Sequence, residues 1–205
     1  MTDFDRAILF DPDLAGAYYN RGLIYYKQQK YDLAIADFDR VIQINPQDAN
    51  AYYNRGNLYY NQQKYDLALA DYSKAIEIDP QDTEAYVSRG NVYDDQQKYD
   101  LALADYNKAL EIEPQLPSAF FDRGIFYLRQ KKYDLAIADF DRVIQINPQY
   151  AEVYYRRAIV RSLQGDKQGA VQDLERSAQL FQTQKNSAGY QKVMEFLGQV
   201  KGETQ

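Results

Sequence analysis

Apolar and polar positions along this chain come in blocks that return every 34 residues. In the second block Ala51, Tyr52, Leu58 and Tyr59 fall at i, i+1, i+7 and i+8, the spacing of one helical face. A short polar turn over 62–64 follows. Tyr65, Ala68, Leu69, Tyr72, Ala75 and Ile76 then fall at i, i+3, i+4, i+7, i+10 and i+11, which predicts a second amphipathic helix. Pro80 ends it, because proline lacks the amide donor and disfavours helical geometry in the residue before it. Pro46, Pro114 and Pro148 punctuate the other blocks in the same way. Gly22, Gly56, Gly90 and Gly124 keep the period, and Ala158 takes the next place. The period-two alternation of strands is absent. The expected fold is all-α: paired helices stacked so that each unit buries its apolar face on its neighbours.

Composition narrows the chemistry. A 45% hydrophobic content is enough to fill the seams of such a stack. The chain has no cysteine, so disulfides and thiolate chemistry are excluded. It has no histidine either, which removes the commonest metal ligand and the usual base near neutral pH. A net charge of −6 argues against nucleic acid, which calls for a basic stripe. No apolar run approaches the roughly 20 residues that span a bilayer. The amino-terminal MTDFDRAILFDP has no basic and apolar leader regions. The expectation is a cytoplasmic protein without membrane span or cofactor.

Tyr52, Gly56, Tyr59, Ala68, Tyr72, Ala75 and Pro80 together resemble the tetratricopeptide repeat, a helix–turn–helix unit of about 34 residues. Tyr86, Gly90, Tyr93, Ala102, Tyr106, Ala109 and Pro114 repeat the match. Tyrosine or phenylalanine stands where the family usually has tryptophan. The resemblance implies a right-handed superhelical solenoid whose first helices line a concave groove. It divides the chain into a leading half-repeat over 1–12, five units over 13–183, and a capping helix with tail over 184–205. The capping helix is read from Tyr190, Val193, Met194, Leu197 and Val200, with Gly202–Gln205 as a frayed tail.

Two features depart from the family pattern. Arginine replaces the usual leucine before the glycine at Arg21, Arg55, Arg89, Arg123 and Arg157, and aspartate follows sixteen residues later at Asp37, Asp71, Asp105, Asp139 and Asp173. This spacing predicts an ion pair across each helical hairpin. The segment DFDRAILFDP matches a second helix, so Asp3 takes the aspartate position without an arginine, and Phe4, Ala7 and Ile8 form an uncovered face. Either the array continues before it, or this face meets another molecule such as a second copy.

Carried over from the family, the groove positions are Tyr19, Asn20, Leu23 and Tyr26, then Tyr53, Asn54, Asn57 and Tyr60. They continue through Val87, Ser88, Asn91, Asp94 and Asp95, through Phe121, Asp122, Ile125 and Leu128, and through Glu152, Tyr155, Arg156 and Ile159. Tyr19, Tyr53, Phe121 and Tyr155 are expected as an exposed aromatic ladder. Asn20, Asn54, Asn57 and Asn91 are expected to hold a peptide backbone, and Glu84, Asp94, Asp95, Asp122 and Glu152 to make the middle acidic. No basic residue stands where some co-chaperones of the family clamp a terminal carboxylate. The expected ligand is an extended or helical peptide with apolar side chains and a Lys or Arg.

Adjacent Asp94 and Asp95 point in different directions on a helix and make no acid–base pair. No Gly-rich phosphate loop, metal cluster or Ser–His arrangement occurs. The resulting expectation is a non-catalytic protein–protein adaptor. Its alternatives are a structural array that self-associates through Phe4, Ala7 and Ile8, and the docking module of a larger protein.

Overall fold

The computed structural model describes residues 3–202, and of the tail expected at Gly202–Gln205 all but Gly202 lies outside them. Among the described residues there are twelve α-helices, falling into two compact units that divide after Ile112. The first unit holds α1 (Asp3–Phe10), α2 (Ala15–Lys27), α3 (Tyr31–Ile44), α4 (Ala49–Asn61), α5 (Tyr65–Ile78), α6 (Thr83–Asp95) and α7 (Tyr99–Ile112). The second holds α8 (Pro117–Arg129), α9 (Tyr133–Ile146), α10 (Ala151–Leu163), α11 (Lys167–Thr183) and α12 (Ser187–Lys201). Within the first unit α2–α3, α4–α5 and α6–α7 are hairpins stacked in sequence, with α1 against α2. Within the second, α8–α9 and α10–α11 are hairpins and α12 caps α11. The fold is an all-α solenoid of paired helices.

Each hairpin closes through a turn whose central residue is left-handed: Gln29, Gln63, Gln97 and Lys131 have φ between 57° and 60°, and the fifth unit uses Gly165 at 85°. In the second hairpin the Gln63 and Lys64 amides donate back to the carbonyls of Tyr60 and Tyr59, satisfying the open end of α4. Pro80 follows the end of α5 after Asp79, whose carboxylate accepts the Gln81 amide at 3.0 Å. Asp82 then caps α6 by accepting the Ala85 amide at 3.0 Å.

Glycine sets the distance between paired helices. The Tyr72 ring lies on Gly56, where a Cβ would meet it at 2.8 Å, and Phe140 leaves only 2.6 Å at Gly124. Around these crossings Phe38, Val41 and Leu58 are fully buried in the first unit, and Phe140, Val143 and Val153 in the second.

The expected arginine–aspartate pairs form, and they reach further than the spacing suggested. Arg55 Nε and Nη2 make a two-pronged bond to Asp71 at 2.8 and 2.7 Å, while Nη1 reaches back to Asp39 on α3 at 2.6 Å. Arg21 joins Asp37 and Asp5 in the same way. Arg89 joins Asp105 and Ser73, and Arg157 joins Asp173 and Asp141. Arg123 holds Asp139 at 2.8 Å. Each guanidinium therefore ties a hairpin together, and those of Arg21, Arg55, Arg89 and Arg157 also tie it to the preceding second helix. The Arg55 guanidinium lies 5.6 Å from the Tyr52 ring centre and 5.8 Å from Tyr59, and Arg89 sits likewise between Tyr86 and Tyr93. The bonds to Asp71 hold the Arg55 pKa above its ordinary value despite burial.

At α1, Phe4, Ala7 and Ile8 are half-buried rather than bare, because α1 packs on α2. The strongly exposed apolar side chains there are Leu9 and Phe10, at 72% and 89%.

Two stability outcomes follow. Arg89→Ala should cost about 3 kcal/mol by stranding the buried Asp105 carboxylate, and adding Asp105→Ala should recover part of that loss. Urea denaturation of the four-member cycle measures the coupling, and strictly additive losses would contradict it. Gln63→Gly, which relieves the left-handed turn, should raise stability by about 0.5 kcal/mol in the same assay.

Candidate functional site

On the first helices α2, α4 and α6 of the first unit, hydrogen bonds between successive helices join several of the expected groove positions. Asn54 Nδ2 donates to the Tyr19 hydroxyl at 3.0 Å, Asn61 Nδ2 to the Tyr26 hydroxyl at 3.4 Å, and the Tyr60 hydroxyl to Asp95 at 2.8 Å. All three bonds join residues 35 apart, so each links a first-helix position to the position one past its equivalent in the next repeat. Tyr19, Leu23, Tyr53, Asn54, Asn57, Tyr60, Ser88 and Asn91 are partly exposed, while Asn20, Tyr26 and Asp95 are exposed.

The four asparagines divide into two pairs. Asn20 and Asn54 both donate Nδ2 to the carbonyl four residues earlier, on Gly16 at 2.7 Å and Asn50 at 2.8 Å. Among the described residues, no donor bonds to their Oδ1 acceptors. Asn57 and Asn91, expected to hold a peptide, are instead engaged within the scaffold. Asn57 Oδ1 accepts the Tyr72 hydroxyl at 2.7 Å, and Asn91 Oδ1 accepts Tyr106 at 2.6 Å. Burial drives the Tyr72 pKa up, so the phenol stays a neutral donor, with Ser88 as a further partner.

The sequence carried a sign of this role. Where the core ring is phenylalanine, at Phe38 and Phe140, the facing position is Leu23 and Ile125. Asparagine appears only opposite tyrosine, because a buried hydroxyl needs an acceptor.

Other expectations need correction. Tyr155 is not an exposed rung of an aromatic ladder: it is 9% exposed, packed edge-on against Phe196 of the capping helix with Lys192 Nζ 4.4 Å from its ring centre. Asp94 is 6% exposed and Val87 2%, so Asp95 and Glu84 carry the acidic character of the α6 surface. In the second unit Phe121 is half-buried against Phe140 and Tyr150, and Asp122, Ile125 and Leu128 are also half-buried. Arg156 turns back to Glu152, with Nε 2.8 Å from its carboxylate, and Lys192 adds a second cation at 3.7 Å. The second unit's first-helix face thus mixes both charges, whereas α6 offers carboxylates. The inter-repeat tyrosine bonds were not foreseen; tyrosine recurring with asparagine or aspartate 35 residues later was the available signal.

Among the described residues, no cluster of three or more acidic or imidazole and thiol side chains is arranged to hold a metal ion. No described helix is long and apolar enough to cross a membrane.

Stacked hairpins with a partly exposed, hydrogen-bonded first-helix face define a helical-repeat interaction scaffold. Family models describing the TPR repeat match residues 22–63, and those describing the tetratricopeptide repeat match 49–82, 83–116 and 117–150. The chain belongs to the tetratricopeptide repeat family. Solved structures agree at the level of fold. YrrB, described as a TPR protein with an unusual peptide-binding site, is 21% identical with a TM-score of 0.62, over 93% of this chain and 98% of that one. PilW, a type IV pilus biogenesis factor, is 18% identical with a TM-score of 0.74, over 94% and 96%. Yeast Tom70 is 23% identical with a TM-score of 0.79, over 98% of this chain but 42% of that one. No curated protein matches the chain in sequence.

The tyrosine–asparagine pairing is testable. Asn57→Leu should cost about 1 kcal/mol by depriving the Tyr72 hydroxyl of an acceptor. Adding Tyr72→Phe should return stability to near wild type, since the pair then copies Phe38 and Leu23. Chemical denaturation of the single and double variants measures this; a double variant no better than Asn57→Leu would refute the pairing.

Proposed function

We propose that the protein is a non-catalytic adaptor that holds a segment of a partner protein, extended and carrying apolar and basic side chains, on the face of α2, α4 and α6. One observation carries this reading. Asn20 and Asn54, on consecutive first helices, are fixed in the same orientation by the same backward hydrogen bond and keep their Oδ1 acceptors uncommitted. Acceptors repeated in this way suit the amide N–H groups of an extended chain, which repeat as well. The half-exposed Tyr19 and Tyr53 rings beside them offer apolar contact at low entropic cost. Asp95 and Glu84, both exposed on α6, favour a Lys or Arg in the bound segment.

Self-association through α1 is a second reading, favoured by the exposure of Leu9 and Phe10. Light scattering distinguishes it: a monomer at high concentration rules it out.

Screening the whole chain against a peptide array, followed by fluorescence anisotropy on the best basic-apolar segment, tests the adaptor. Single-module peptide recognition sits near micromolar, about −8 kcal/mol. Asn20→Ala/Asn54→Ala should weaken binding about tenfold or more, as should N-methylation of the peptide backbone. Equal affinity for the double variant and the wild type would reject this face as the site.

A further inference from the structure

Within each unit, successive hairpins meet where a first helix lies on the preceding second helix, and one arginine nitrogen spans the seam. Arg21 Nη1 reaches Asp5 on α1 at 2.8 Å, and Arg55 Nη1 reaches Asp39 on α3 at 2.6 Å. In the second unit Arg157 bonds Asp141 on α9. At the α5–α6 seam the same nitrogen of Arg89 meets Ser73 instead, at 3.1 Å. The residues at this position along the chain are Asp5, Asp39, Ser73, Asn107, Asp141 and Glu175, so the carboxylate is missing only in the middle. A hydrogen bond between arginine and a neutral hydroxyl lacks the ion-pair attraction of one to a carboxylate, and bonds without charge on both sides are weaker and longer.

Neighbouring charges do not make up the difference. The cation beside each position is itself held: Arg40, next to Asp39, by Asp13 at 2.8 Å, and Lys74, next to Ser73, by Glu77 at 2.8 Å. Facing Arg89 are Asp105 on α7, the Tyr86 and Tyr93 rings of its own helix, and Ser73 on α5. Asp39 adds to Asp71 in raising the Arg55 pKa, whereas for Arg89 Asp105 does so as the one carboxylate. A second tie is weakest at the same seam. Gln62 Nε2 donates to Asp32 at 3.2 Å and Gln164 Nε2 to Asp134 at 2.7 Å, but Gln96 Nε2 stands 3.5 Å from Asp66, at the far limit of such a bond. Ala75, Ile76 and Ala85 pack together across the seam and the Tyr60 hydroxyl bonds Asp95, so the two hairpins stay joined.

We infer that the first unit opens at the α5–α6 seam, where the α6–α7 hairpin moves against α4–α5 while α2–α3 and α4–α5 stay locked by Arg55 and Asp39. In an array with only local contacts such an opening need not unfold either hairpin. The first-helix surface is then firm between α2 and α4 and adjustable between α4 and α6. This device does not depend on what that surface binds.

Hydrogen–deuterium exchange of the whole chain, read by mass spectrometry, tests it by swapping the two residues. In the wild type, amides of α5 and α6 should exchange faster than the equivalent amides of α3 and α4 once intrinsic rates are removed. Ser73→Asp should slow the α5 and α6 amides about fivefold, the scale of a neutral partner replaced by a charged one, and leave α3 unchanged. Asp39→Ser should speed the α3 and α4 amides by a similar factor. Each substitution installs a residue that the same position carries in another repeat, and circular dichroism verifies that both variants stay folded. Equal protection of the two seams in the wild type would overturn the inference. So would a Ser73→Asp effect that is absent, or one spread evenly over the first unit, which signals general stabilisation rather than a closed seam.

Discussion

A guanidinium held between two tyrosine rings and two second helices is the interaction on which this array depends. A repeat solenoid has only local contacts, so each unit must fix its own hairpin and its contact with its predecessor. Arg55 does both with one side chain: two nitrogens hold Asp71 within the hairpin, and the third reaches Asp39 on the preceding second helix. The planar fork of arginine makes this arrangement possible, and the single point charge of lysine would not. Burial raises the electrostatic stakes. The Asp71 and Asp105 side chains are almost wholly excluded from water, so neither tolerates losing its partner.

Around that fixed centre, polar side chains serve two different purposes that look alike in the chain. Asn54 and Asn57 are three residues apart on α4. Asn57 completes the hydrogen bonding of a buried phenol and belongs to the core. Asn54 donates to its own helix and to Tyr19 on the neighbouring one, and keeps an acceptor for a guest. A rigid scaffold is what gives such an acceptor value, because a guest then need not meet the cost of ordering it.

The helical pairs, their boundaries near Pro46, Pro80, Pro114 and Pro148, the glycine crossings and the arginine–aspartate pairs were all legible in the chain. Each rests on a local rule: apolar period, missing amide, small side chain, or opposite charges at a fixed spacing repeated five times. The groove was less legible. Family positions placed Asp94 and Tyr155 on an exposed face, yet both are buried, Tyr155 beneath Phe196 and Lys192 of the capping helix. Position within a repeat tells which way a residue faces in an average unit. It does not tell what a particular neighbour lays over it.

The sequence by itself determined the architecture, since a 34-residue period with two amphipathic helices per turn of the pattern has one economical way to hide its apolar faces. It also determined that tyrosine and asparagine exchange together for phenylalanine and an aliphatic residue. Only the tertiary structure decided which polar groups are spent within the fold and which remain for a partner. Hydrogen bonds saturate, and whether an acceptor is already occupied depends on which donor packs within 3 Å of it, as the Tyr72 hydroxyl does at Asn57 and none of the described residues does at Asn54 Oδ1.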